Sequence, residues 1–181
     1  MAGRYLLRAH GRGGGLYCAA VKDMATMEIV GWAMSDRPKA ELALDAPTVA
    51  IGNRRPPPDL IHHSDRGVQY ACNDHRKLLD LRKMKPSMGR KGTCLEFEQV
   101  RANGSNGPVD HLNAQNAPME GFFRSLKNEL VPRTHVPKRR AAKAALFEFS
   151  EVFYNRQRRH SSIGHRTPAQ ARLDMEPSIA A

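Results

Sequence analysis

Two short apolar runs constrain this chain most. Leu16–Val21 (LYCAAV) and Glu28–Met34 (EIVGWAM) are each one strand long, and little more than the turn-like stretch Lys22–Thr26 separates them. Strands joined so tightly pair antiparallel, because a parallel return needs a crossover of a dozen or more residues. The texture then alternates. Pro38–Ala50 reads as a helix with Leu42, Val49 and several alanines on one side, and Pro47 is expected to cut it short. Arg54–Pro58 is a loop, and Leu60–Asp65 is a strand that delivers an acid at its C-terminal end. Asn73–Leu81 is a helix and Met84–Ser87 a short strand. A hairpin followed by alternating helices and strands predicts an α/β layer architecture with a mixed sheet flanked by helices.

The stretch Asn116–Val131 (NAPMEGFFRSLKNELV) carries the sharpest helical pattern. Phe122, Phe123, Leu126 and Leu130 form an apolar stripe, and Pro118 sits near the start, where a missing N–H costs least. Glu120 falls in the first turn, where the helix dipole favours a carboxylate. Arg124 and Lys127 follow on the same face. Taken alone, Glu120 and Arg124 read first as an ordinary i,i+4 surface pair.

A basic loop, Met88–Gly92, includes Arg90 and Lys91, and Glu96–Gln115 is polar, rich in Asn and Gly, and reads as an exposed insertion. Lys138–Gln157 is a further helix, with Ala141, Ala145, Phe149, Val152 and Phe153 along its apolar face. Thr167 and Pro168 supply an N-cap and a first-turn proline for a final helical turn. Met1–Gly15 has no clean period and reads as an irregular basic segment. The expected organisation is therefore 1–15 irregular, 16–173 a single core interrupted at 96–115, and 174–181 a tail.

Charge narrows the partner. The chain has 29 Lys+Arg against 18 Asp+Glu, a net charge of +11. Between Glu120 and Arg172 there are 12 basic and 4 acidic residues, so most of the excess lies in that third. This balance points to a polyanion, with nucleic acid ahead of membrane. Cys18, Cys72 and Cys94 are widely spaced, which argues against a structural zinc or a disulfide framework. With no long apolar run and no signal-peptide pattern, a soluble, cytoplasmic protein is expected. His62-His63 cannot form a zinc site by itself, because neighbours on a strand face opposite ways.

Three ordered stretches resemble one family. His63-Ser64-Asp65-Arg66-Gly67-Val68-Gln69-Tyr70 is similar to the HSDxGxQY signature of OrfB-type insertion-sequence transposases, relatives of retroviral integrases. Asn116–Glu120 with Phe122-Phe123 and Leu126-Lys127 resembles their glutamate-bearing helix. Tyr154-Asn155, Arg159-His160-Ser161 and Arg166-Thr167-Pro168-Ala169 resemble their C-terminal signature. The resemblance implies a ribonuclease-H-like fold and phosphoryl transfer at DNA ends. In that chemistry three carboxylates hold two Mg²⁺ ions about 3.5–4 Å apart. It makes Asp65 the second acid and Glu120 the third. Arg124, Lys127, Arg90, Lys91, Arg158 and Arg159 become candidate DNA contacts, and DNA and other transposase subunits the expected partners. The family keeps roughly 35 residues between its second and third acids. Here 54 intervene, and removing the insertion at 96–115 accounts for the excess.

The first acid has no counterpart. The family carries it in an Asp-Ile-Thr/Ser-Tyr strand, whereas Met1–Gly15 contains no carboxylate. Asp23 falls in the hairpin turn, a position the family does not use. Codons can be chosen for Arg4–Gly14 that read Asp-Ile-Ser-Tyr-Val-Pro-Thr-Ala-Glu-Gly when shifted by one base. A frameshifted and degraded first strand is therefore the working hypothesis; gene codons incompatible with that frame end it. The expectation is a catalytically impaired transposase core, with a non-catalytic basic DNA-binding remnant as the alternative. A basic RNA-binding protein would match the charge but would leave Asp65 and Glu120 unexplained.

Overall fold

The computed structural model describes residues 2–7, 16–37, 40–64, 73–88, 117–130 and 139–179. A five-stranded sheet runs through the molecule. In chain order its strands are β1 (Ala2–Leu7), β2 (Leu16–Lys22), β3 (Ile29–Ser35), β4 (Ile61–Ser64) and β5 (Lys85–Met88). Their spatial order is β3-β2-β1-β4-β5. The expected hairpin is β2–β3, antiparallel from Tyr17↔Ser35 to Lys22↔Ile29, with an irregularity between Val21 and Lys22. β1 pairs antiparallel with β2, from Ala2↔Val21 to Leu7↔Leu16, and parallel with β4 at Ala2↔Ser64. β4 and β5 are parallel.

The N-terminus corrects the sequence reading. Residues 2–7, expected to be irregular, form the central strand of the sheet. A ladder is made of main-chain N–H and C=O groups, and two waiting strand edges can outweigh a weak side-chain pattern. Tyr5, Leu6 and Leu7 are also residue types that a strand accommodates.

Helices cover both faces. Because side chains alternate along a strand, β2 sends Ala19 and Val21 to one side and Cys18 and Ala20 to the other. On the first side lies α1 (Ala40–Arg54), with Leu42, Ala43, Ala46 and Ala50 buried against Ala19 and Val21. It passes through Pro47 without stopping, contrary to expectation. Pro47 is itself fully buried, so packing on the sheet outweighs the lost helical hydrogen bond. The approach is close because Gly31 has no side chain: a Cβ there would lie 2.5 Å from both the Ala46 carbonyl oxygen and the Ala50 nitrogen. Also in this region, α2 (Asn73–Leu81) buries Leu79 with Ile51 and Met84.

On the other side lie α3 (Ala117–Ser125, continuing as a π-helical turn through Leu130) and α4 (Arg139–Phe147, continuing as a π-helix from Glu148 to Gln157). Met119, Phe122, Phe123, Leu126, Leu146, Phe149 and Tyr154 pack here against Leu16, Cys18, Ala20 and Ile29. The four apolar positions expected for α3 all point into this cluster, Leu130 only in part. The apolar face expected for α4 is displaced. Ala141 and Val152 are exposed, whereas Ser150, Tyr154 and Asn155 are buried. The wider π-helical turn shifts the phase that a regular 3.6-residue repeat would keep.

The C-terminal turn is a full helix, α5 (Pro168–Ile179). Thr167 caps it: its hydroxyl accepts from the Gln170 N–H at 3.2 Å, and the Gln170 side-chain oxygen accepts from the Thr167 N–H at 3.0 Å. This reciprocal pair is a capping box. Arg172 of α5 lies 3.7 Å from the buried Glu28 carboxylate, which also pairs with Arg54 of α1. Burial pushes the Glu28 carboxyl up, against the pull of both guanidiniums. Among the described residues no helix is long and apolar enough to cross a membrane.

Candidate active site

The first motif begins at the end of β4, the second lies on α3, and the third runs from the end of α4 into the start of α5. β4 ends at the buried Ser64, immediately before Asp65, which lies outside the described residues, as do Arg90, Lys91 and the segment 96–115. Ser64, the last residue of β4, pairs with Ala2, so Arg4 stands two residues further along β1, past the end of β4. α3 packs against β1. With Met119, Phe122, Phe123 and Leu126 buried, Glu120, Arg124 and Lys127 are left on the exposed face. Among the described residues no ion pair joins Glu120 to Arg124.

The sequence reading missed what holds α3 in place. Lys22, at the end of β2, is only 3% exposed. Its ammonium donates to the Pro118 carbonyl at 3.0 Å and to the Tyr154 hydroxyl at 2.8 Å. Tyr154 in turn meets Phe122 edge-on, with ring centroids 5.0 Å apart. At the other end of the helix Arg158 pairs with Glu129. Burial, with Arg158 nearby, pulls Lys22 down to about 8, and burial pushes Tyr154 up to about 12. Lys22 looked like a turn residue in the sequence, and only its burial marks it out.

The C-terminal signature therefore has a visible structural use. Asn155, next to Tyr154, pairs its carboxamide with both main-chain groups of Ile29. His160 stacks edge-on to Tyr154 at 4.9 Å, and its main chain bridges to Arg166 around the left-handed Gly164. Of the two basic residues proposed here for DNA, Arg159 is exposed, whereas Arg158 is half-buried and engaged by Glu129.

His62 and His63 diverge on β4. His62 is buried with its ring 5.3 Å from that of His75, while His63 lies 3.2 Å from the Ser87 hydroxyl. Among the described residues no three His, Cys, Asp or Glu side chains gather as a metal site. The donor set does not fit a complete two-metal centre, because β1, Ala-Gly-Arg-Tyr-Leu-Leu, carries no carboxylate and has a guanidinium residue at position 4.

A five-stranded mixed sheet in this order, with helices on both faces, is the ribonuclease-H-like fold of integrase catalytic cores. The HTLV-2 integrase catalytic core, solved in complex with magnesium, matches it with a TM-score of 0.58 at 12% identity, covering 94% of this chain and 92% of that one. Two family profiles described as "Integrase core domain" match residues 6–94 and 111–168. The chain belongs to this integrase-core family. It is 42% identical over 159 residues to the "Insertion element IS600 uncharacterized 31 kDa protein" of Shigella sonnei, covering 88% of this chain and 52% of that protein. It is 36% identical over 157 residues to "Transposase InsF for insertion sequence IS3A" of Escherichia coli, covering 87% and 48%. The chain thus spans about half the length of the curated relatives it matches.

Proposed function

We propose that this chain is the catalytic core of an insertion-sequence transposase, built to cut and join DNA strands by phosphoryl transfer but impaired in that chemistry. The observation that carries the reading is the position of Glu120, exposed on a helix packed against the strand whose neighbour runs directly into Asp65. Asp65 and Glu120 are the second and third metal-binding acids in this reading, and Mg²⁺ is the ion their hard oxygen ligands suit. Arg124 and Lys127, on the same exposed side of α3, contact the DNA backbone, and Arg159, Arg90 and Lys91 are further DNA contacts in this reading. The two family matches leave 95–110 uncovered, which supports reading most of the 96–115 stretch as an insertion. DNA ends and target are the partners, together with further transposase subunits.

Impairment follows from β1. Arg4 occupies the strand position where the family's first acid is expected, so the metal site is one carboxylate short. What remains is a basic integrase-like surface that binds DNA. The test pairs a gel shift over a salt series with a strand-transfer assay in Mg²⁺ and Mn²⁺. Salt-dependent binding without cleavage is expected. Robust cleavage that Glu120→Gln abolishes overturns the impairment, and absence of any DNA binding overturns the reading as a whole.

A further inference from the structure

α3 is held at both ends by one short segment of the chain. Arg158 takes Glu129 at the far end, and Tyr154 takes Phe122 in the middle. At the near end the link is Lys22, whose ammonium lies between the Pro118 carbonyl and the Tyr154 hydroxyl. A buried ammonium is costly unless its protons find acceptors, and methionine or leucine would fill the same space without that cost. What the lysine adds is direction. It joins the end of β2, the first turn of α3 and the π-helical part of α4 at a single nitrogen.

We propose that Lys22 is a positioning residue for Glu120: by pinning the Pro118 carbonyl to the Tyr154 hydroxyl it sets where the carboxylate two residues further on stands relative to β1 and β4. This inference rests on the active-site reading above. Lys22 touches neither metal nor DNA in it, and acts only through the main chain of α3. The surrounding charges agree with a fixed, directional contact. Arg158 repels Lys22 and is itself held off by Glu129, and His160, facing the same tyrosine, is kept neutral by burial and by these two cations.

The test uses the full chain with Lys22→Met and Lys22→Arg, read by amide hydrogen exchange and by the NMR signals of Glu120. In a regular α-helix the Phe122 N–H closes on the Pro118 carbonyl. Lys22→Met is expected to speed Phe122 exchange about tenfold and to shift the Glu120 signals, while the amides of Ala19 and Ala20 in β2 keep their protection. Lys22→Arg, which can still donate to two acceptors, is expected to restore both signals. Unchanged Phe122 exchange overturns the proposal. So does a uniform rise across all core amides, which would make Lys22 a general brace. A companion measurement places Lys22→Met in an Arg4→Asp background and reads Mn²⁺ affinity, with a loss of about tenfold expected. If the Arg4→Asp chain binds no Mn²⁺, the active-site reading fails while Phe122 exchange still decides the role of Lys22.

Discussion

Asn155 pairs with Ile29 as a neighbouring strand would. Its side-chain oxygen accepts from the Ile29 N–H at 2.9 Å and its side-chain nitrogen donates to the Ile29 carbonyl at 2.9 Å. Ile29 opens β3, an outer strand of the sheet, where the β2 register slips. Asn155→Ala leaves two buried main-chain groups without these partners and is expected to cost about 2–4 kcal/mol. Urea denaturation measures it, and a loss below about 0.5 kcal/mol would show that water replaces the carboxamide without penalty.

Gly31 and Gly121 make opposite predictions for the same substitution. Gly31→Ala drives a methyl group into the backbone of α1 and is expected to destabilise the chain by about 3 kcal/mol. Gly121 has nothing within 4 Å of an added Cβ and sits inside α3. There alanine is expected to stabilise by about 0.5–1 kcal/mol. Thermal melts of the two variants side by side decide both, and Gly31→Ala melting with the parent chain would mean that α1 does not approach as closely as described.

Acid should weaken the fold from the histidines. Burial, then nearby positive charge, holds His62 down at about 3, and burial with Lys22 and Arg158 holds His160 down at about 4. An unfolded histidine binds its proton near pH 6.5, so below that the unfolded state takes up protons that the native state refuses. The stabilisation is complete above about pH 6.5 and is lost as pH falls towards these depressed values. Stability measured between pH 7.5 and 4.5 should fall by about 1 kcal/mol per unit from His62 alone in the steep part. An NMR titration of His62 with a midpoint near 6.5 would remove the basis for this.

Restoring a carboxylate to β1 should restore metal affinity. Arg4→Asp is expected to tighten Mn²⁺ binding at least about tenfold, as a third ligand completes the set. The gain should vanish in Asp65→Asn and in Glu120→Gln. Isothermal titration of the four proteins is sufficient, and a gain that survives loss of Glu120 would place the ion elsewhere.

The basic residues should separate by their surroundings. Arg124→Ala and Lys127→Ala, on exposed side chains, are each expected to lower the salt dependence of DNA binding by about one counterion. Arg158→Ala should show its effect first in stability, since Glu129 already engages that guanidinium. A salt slope unchanged by Arg124→Ala and Lys127→Ala would move the DNA surface off α3.

Periodicity and turn chemistry made much of this molecule legible before any coordinates. The β2–β3 hairpin, the buried stripe of α3 and the Thr167 cap each follow from a local rule, and the structure realises them. The failures share a cause: a distant partner outweighed the local pattern. Pro47 stays helical because α1 lies on Gly31. The face of α4 shifts because its turns widen from Glu148 onward. β1 forms because strands on both sides pair with its backbone. Lys22 was invisible for the same reason, since nothing in KDMAT announces a tyrosine 132 positions away. Glu120 was singled out by its motif alone, and the geometry adds only the exposed helix face on which it stands.

The central strand has one more consequence. A ladder of main-chain bonds is indifferent to spelling. If the region of Arg4 was overwritten by a change of reading frame, the edit erased a word of chemistry and left the grammar of the sheet intact. Catalysis and architecture would then be written in separate alphabets along the same six residues.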